Sequence, residues 1–166
     1  MEHQENKYLV RSFDETLRIL QEKGARQINH IISVHYYGKH KGNDVEKFVE
    51  YPDRYEIHVL KEENGRFTLT EHSQIADKHA GIAWLKSKKY RSADIVKMDY
   101  TEYAYNDGTV GLYMIDDFLR SVILYYPSDQ FENVEKELNL QHAEPITVPY
   151  NKYLEQLGRL RSIQLP

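Results

Sequence analysis

An α+β domain whose mostly antiparallel sheet curls is the fold class this sequence predicts, and three observations predict it. Segments rich in β-branched and aromatic residues recur along the chain, several beside turn sequences such as Asn64-Gly65 and Asn106-Asp107-Gly108. Helical spacing of apolar residues appears only in short stretches between them. The chain has 166 residues, 40% of them apolar, with 14 Tyr and 5 Phe distributed throughout. That is enough for one core but hardly for two, and too aromatic for disorder despite a mean hydropathy of −0.72. A single domain over residues 1–166 is expected, with about seven strands and about four helices.

Glu5 and Lys7 lead into the apolar cluster Tyr8-Leu9-Val10, read as the opening strand. Ser12 and Glu15 have the spacing of a capping box, Phe13, Leu17 and Leu20 recur on one helical face, and Gly24 can end that helix in a left-handed conformation. Residues 28–37 read as a strand before a Gly38–Asn43 loop. Residues 54–72 read as a β-hairpin turning at Asn64-Gly65, with His58, Arg66 and His72 expected on the face opposite Ile57 and Phe67. Ile75, His79, Ile82 and Leu85 suggest a second helix. Ala93–Tyr103, Val110–Ile115 and Leu119–Tyr126 read as strands, and Phe131, Val134 and Leu138 mark a helix capped near Ser128 and Asp129. A last helix follows Pro149 with Tyr150, Tyr153, Leu154 and Leu157.

Lys and Arg total 22 against 26 Asp and Glu, a net charge of −4. A general electrostatic grip on duplex nucleic acid or an anionic membrane is therefore not expected, and any basic site must be local. The absence of cysteine excludes disulfides, thiolate metal sites, thiol nucleophiles and Fe–S ligation. Charges throughout the first twenty residues leave no secretory signal core, and no stretch approaches a membrane span, so a cytoplasmic protein is expected. No Walker loop, GxGxxG, nucleophile elbow or HExxH string occurs. The 8 histidines do not suggest zinc, because His35 and His40 lack a second pair at ligand spacing. The strand residues Glu5, Lys7, Glu56, His58, Arg66, Thr68, Thr70, His72, Lys97, Asp99 and Thr101 alternate with apolar ones. They either face bulk solvent, which the pattern alone favours, or line a hydrated barrel whose apolar exterior is covered by helices.

The order of elements and several strings resemble the CYTH or triphosphate tunnel metalloenzyme family, which includes class IV adenylyl cyclases and thiamine triphosphatases. His3-Gln4-Glu5-Asn6-Lys7-Tyr8-Leu9-Val10 resembles its amino-terminal E-x-E-x-K strand, with His3 in place of the first Glu. His35-Tyr36-Tyr37 resembles its aromatic strand, and Arg66–His72 resembles a strand ending in L-T-x-K, with His72 where the lysine stands. Lys97 matches a basic position of the second half, whereas Asp99 departs from an arginine. Leu124 and Tyr126 stand where two acids are expected, and Glu144–Tyr150 resembles the usual tail. The acidic strand of R-x-E-x-E type found in many members is missing.

The resemblance implies a closed β-tunnel in which cationic side chains hold a triphosphate and acidic ones hold Mg²⁺ or Mn²⁺. It implies Lys7, His58, Arg66, His72 and Lys97 as substrate contacts, Glu5 as the catalytic carboxylate, and Glu5, Glu56 and Asp99 as metal ligands. The expected ligand is a nucleotide or other triphosphorylated small molecule. The expected function is to bind it, with slow metal-dependent hydrolysis or cyclisation; the alternative is a catalytically inactive ligand-binding or protein-interaction domain.

Overall fold

A computed structural model describes residues 2–166. The strands are β1 (His3–Leu9), β2 (Arg26–Gly38), β3 (Val45–Glu50), β4 (Tyr55–Glu63), β5 (Arg66–Ile75), β6 (Ser92–Tyr105), β7 (Gly108–Ile115), β8 (Leu119–Pro127), β9 (Glu144–Ile146) and β10 (Arg161–Gln164). The helices are α1 (Asp14–Glu22), α2 (Lys78–Ser87), α3 (Phe131–Glu137) and α4 (Tyr150–Gln156). Among the described residues no helix is long and apolar enough to cross a membrane.

The sheet runs β6-β2-β3-β4-β5-β1-β8-β7, and β7 pairs back onto β6, so eight antiparallel strands close into a barrel. Closure is thinnest between β1 and β5, which share the register pair Glu5–Phe67. Beyond it β9 pairs with Lys7, Tyr8 and Leu9 of β1. Asn64-Gly65 turns β4 into β5 with positive φ at both residues. Gly24, at φ +72, ends α1. That helix starts later than a capping box requires: Ser12 Oγ accepts from the amide of Asp14 at 3.1 Å, while the N-cap position is Phe13. Ile75 belongs to β5, and α2 starts instead behind Asp77, whose carboxylate accepts from the Ala80 amide.

Alternation sorts the side chains into a lumen and a helix-covered exterior. Leu20 of α1 and Phe131, Val134 and Leu138 around α3 pack on the outward side chains Leu112, Val122, Leu124 and Tyr126. Leu85 of α2 packs against Phe48 and Tyr36 on the outside of β3 and β2. Each such burial contributes roughly 1.5–3 kcal/mol, so the helices hold the barrel wall closed from outside. The apolar residues of the third cluster, Tyr37, Val45, Leu60, Phe67, Met98, Tyr100 and Ile123, point inward, and α4 inserts Tyr150 and Leu154 among them. Tyr150 thereby forms part of the cavity lining.

Register corrects two expectations. β5 carries a bulge: Val59 pairs with Glu71 and Leu60 with Leu69, leaving Thr70 extra, with its hydroxyl donating to the Val59 carbonyl. The bulge shifts parity, so Phe67, Leu69 and His72 share the inner face with His58, while Ile57 and Arg66 are outside. On β8 the inward residues are Ser121, Ile123 and Tyr125, and Leu124 and Tyr126 are fully buried in the outer core. The positions at which carboxylates would face the lumen are thus Ile123 and Tyr125, one residue before those expected, and neither is acidic.

Candidate functional site in the tunnel

Strand alternation brings Glu5 and Lys7 of β1, His35 of β2, Lys47 of β3, His58 of β4 and Glu102 of β6 into one cavity. Tyr37, Tyr51, Tyr100, Tyr113 and Tyr150 also line it. Lys7 is 5% exposed, and its ammonium lies between two rings, 4.1 Å from the centroid of Phe67 and 4.5 Å from that of Tyr150. It donates to the Val148 carbonyl at 2.6 Å. Lys47, 8% exposed, donates to the Tyr37 hydroxyl at 3.5 Å and lies 4.9 Å from that ring's centroid. Neither lysine has a carboxylate oxygen within 4 Å among the described residues.

Burial dominates the electrostatics. Removal from water brings Lys7 down to about 7, with Glu5 opposing the shift and Lys47 adding to it. Burial likewise brings Lys47 down to about 8 against the pull of Glu5. Glu5 is raised, because desolvation outweighs the attraction of Lys47 and Lys7. Glu102 is raised for the same reason, although Asn29 donates to it at 3.3 Å. Burial and neighbouring Lys47 hold His35 neutral, well below the usual imidazole range. Its Nε2 meets Ser33 Oγ at 2.9 Å, while its buried Nδ1 has no hydrogen-bond partner.

At the rim, Glu56 gathers three partners. Its Oε2 accepts from Arg54 Nε at 2.6 Å, and its Oε1 meets Nε2 of His58 at 2.9 Å and Nε2 of His72 at 2.7 Å. Burial alone would raise this carboxyl, but the three hydrogen bonds outweigh it and bring Glu56 down to about 2. Burial and the charge of Lys47 bring His58 down to about 4. Glu56, His58 and His72 form a group whose donor atoms lie close enough together to hold a metal ion.

The structure therefore gathers Glu5, Lys7 and His58 in the lumen and Glu56 and His72 at its rim, but places three of the expected site residues outside. Lys97 lies on the outer face of β6 and pairs with Asp117 at 3.1 Å. Asp99, two residues on, shares that face and meets His30 at 2.9 Å. Arg66 stacks its guanidinium 4.5 Å from the centroid of Phe131 beneath α3. Glu5, Glu56 and Asp99 are not brought together, so an oxygen-rich Mg²⁺ or Mn²⁺ site of those three does not exist here. Lys47, Glu102 and His35 are lumen residues that sequence reasoning missed. The alternation of Val45, Lys47 and Val49 was the available signal for Lys47.

No family model matches the sequence, and no curated protein does. Solved structures do match. A conserved hypothetical protein from Pyrococcus furiosus superposes with a TM-score of 0.77 at 13% identity, covering 90% of this chain and 98% of that one. A candidate adenylate cyclase from Vibrio parahaemolyticus gives 0.67 at 15% identity, covering 93% and 98%. A candidate adenylyl cyclase from Hippeastrum, described as having a dominant triphosphatase activity, gives 0.59 at 9% identity, covering 97% and 98%. The chain shares their fold over nearly its whole length, and that fold is the CYTH-like tunnel which the sequence resemblance implied.

Proposed function

We propose that the tunnel binds a nucleotide or another triphosphorylated small molecule, with Lys7 and Lys47 as its principal anion contacts and His58 beside them. One observation carries this reading: two ammonium groups are buried in one cavity, and neither is neutralised by an ion pair. Burying an uncompensated charge is costly, and an anion entering the lumen removes that cost while meeting both donors at low dielectric. The phosphate restores both lysines to their charged forms, so binding takes up protons near neutral pH. The tyrosine hydroxyls, kept protonated by burial, supply further neutral donors. The fold shared with a protein described as a triphosphatase supports the same ligand class.

Binding without rapid turnover is the form of this function that the lumen favours. Phosphoryl transfer on a hard divalent ion needs converging carboxylates. The lumen offers Glu5 and Glu102, both biased toward the protonated form by burial, and no acid on β8. Glu5, whose carboxyl feels the charges of both Lys47 and Lys7, is the residue on which any slow metal-dependent hydrolysis or cyclisation would rest. A divalent ion would polarise the phosphoryl group there.

Thermal unfolding with tripolyphosphate, ATP and thiamine triphosphate, each with chelator and with Mg²⁺, tests the proposal. A ligand that binds only the folded chain raises its midpoint in a concentration-dependent way. A rise with at least one of the three in the presence of chelator is expected. No rise with any of them under either condition would overturn the proposal.

A further inference from the structure

The β4–β5 hairpin builds a second donor set that the lysine pair does not use. Glu56 and His58 are two apart on β4 and share a face, while His72 faces His58 directly as its register partner. Only the Thr70 bulge makes this possible: without the extra residue His72 would point outside with Thr68. Bulges re-aim side chains in this way beside functional sites. The result is two imidazole Nε2 atoms directed at the same oxygen, Glu56 Oε1, with the rings 5.0 Å apart edge to face. The three donor atoms lie within 4.8 Å of one another. Arg54 holds the other carboxylate oxygen, so the group is oriented from behind.

The geometry points to Glu56, His58 and His72 as a binding site for a borderline divalent transition metal, Zn²⁺, Co²⁺ or Ni²⁺, and not for Mg²⁺. Two imidazoles and one carboxylate form the nitrogen-rich set that such ions prefer, whereas Mg²⁺ demands oxygen ligands and keeps its water. Ligand bonds of about 2.0–2.2 Å require the present hydrogen-bonded spacings to widen by roughly 0.5 Å, a side-chain adjustment. Ligation through Nε2 requires the tautomer with the ring proton on Nδ1, and a change of tautomer moves that proton through solvent with no net loss. His72 is half exposed and gives the ion a route in. Three protein donors leave at least one position for water. Arg54 opposes the ion's charge, so selectivity rests on donor type and not on net charge.

Isothermal titration of metal-free protein with ZnCl₂, NiCl₂ and MgCl₂, without phosphate, tests this site independently of the anion proposal. One equivalent of Zn²⁺ or Ni²⁺ is expected to bind, undisturbed by a hundredfold excess of Mg²⁺. His72→Ala and His58→Gln should each weaken binding by at least about 10-fold, with the fold checked by circular dichroism, and the remote His40→Ala should leave it unchanged. The Co²⁺ form should show the visible bands of a low-coordinate nitrogen-ligated ion, lost in His72→Ala. Absence of transition-metal binding, wild-type affinity in His72→Ala, or equal competition by Mg²⁺ would overturn the assignment.

Discussion

The Lys7 ammonium lies 4.1 Å from the centroid of the Phe67 ring, with a carbonyl and a second ring as its other contacts and no carboxylate in ion-pairing range. Lys47 is in a similar position against Tyr37. Such groups burden the empty protein. Lys7→Met or Lys47→Met is therefore expected to leave the unliganded fold equally stable or more stable, by up to roughly 1–3 kcal/mol in denaturant titration. A loss of stability in either variant would show that the lysine is structural.

The same lysines set an alkaline trend. Their pKa values lie near 7 and 8 in the fold and at the ordinary 10.5 in the unfolded chain, so between these limits the unfolded state binds more protons. Stability of the empty protein should rise with pH from about 7 toward 10, beyond which the buried tyrosines, raised in the fold, reverse the slope. Urea midpoints across that range check the sign, and Lys7→Met should flatten the rise.

At low pH the rim takes over. Glu56 is held at about 2 against an ordinary 4.5, and His58 at about 4 against 6.5, so the unfolded chain binds more protons in both windows. Their contribution to stability should fall as pH drops from about 6.5 to 4 through His58 and from 4.5 to 2 through Glu56, opposed above 4.5 by Glu5 and Glu102, whose burial-raised carboxyls take up protons in the fold first. Glu56→Gln is expected to cost about 1–3 kcal/mol at pH 7, because it leaves Arg54 and two imidazoles with a neutral partner, and to shrink the acid dependence. An unchanged acid midpoint in this variant would contradict the assignment.

Much of the wall was legible in the sequence, because turns and period-two alternation are local. Asn64-Gly65 placed the hairpin, and the Glu5/Lys7 pair placed both residues on one face. Parity errors came from events that alternation cannot show. The Thr70 bulge reversed the outer half of β5, so Arg66 lies beneath α3 while His72 turns inward. Lys97 and Asp99 looked like lumen residues because their neighbours Met98 and Tyr100 are apolar, yet this lumen is itself largely aromatic and takes those neighbours instead. The His58–His72 pair exists only through cross-strand register and leaves no ligand spacing along the chain. Val45–Glu50 was not recognised as a strand, and Lys47 was missed with it.

Helix α2 provides a packing test. Gly81 lies against Phe48, where an added Cβ would meet the ring at 2.5 Å. Alanine favours a helix interior over glycine by about 1 kcal/mol, but overpacking a core contact costs about 1–3 kcal/mol. Gly81→Ala is therefore expected to destabilise, measured by thermal unfolding. A gain in stability would mean that α2 sits further from the barrel wall.

The central claim is that buried, unpaired lysines in the tunnel hold a triphosphate, and calorimetric titration with tripolyphosphate in chelator at pH 7 measures it most directly. Lys7→Met and Lys47→Met should each weaken binding by about 1–3 kcal/mol, and affinity should fall as pH rises through 7 and 8. Lys97→Ala, on the outer wall, should bind like wild type. Wild-type affinity in both lumen variants, or a loss confined to Lys97→Ala, would contradict the account.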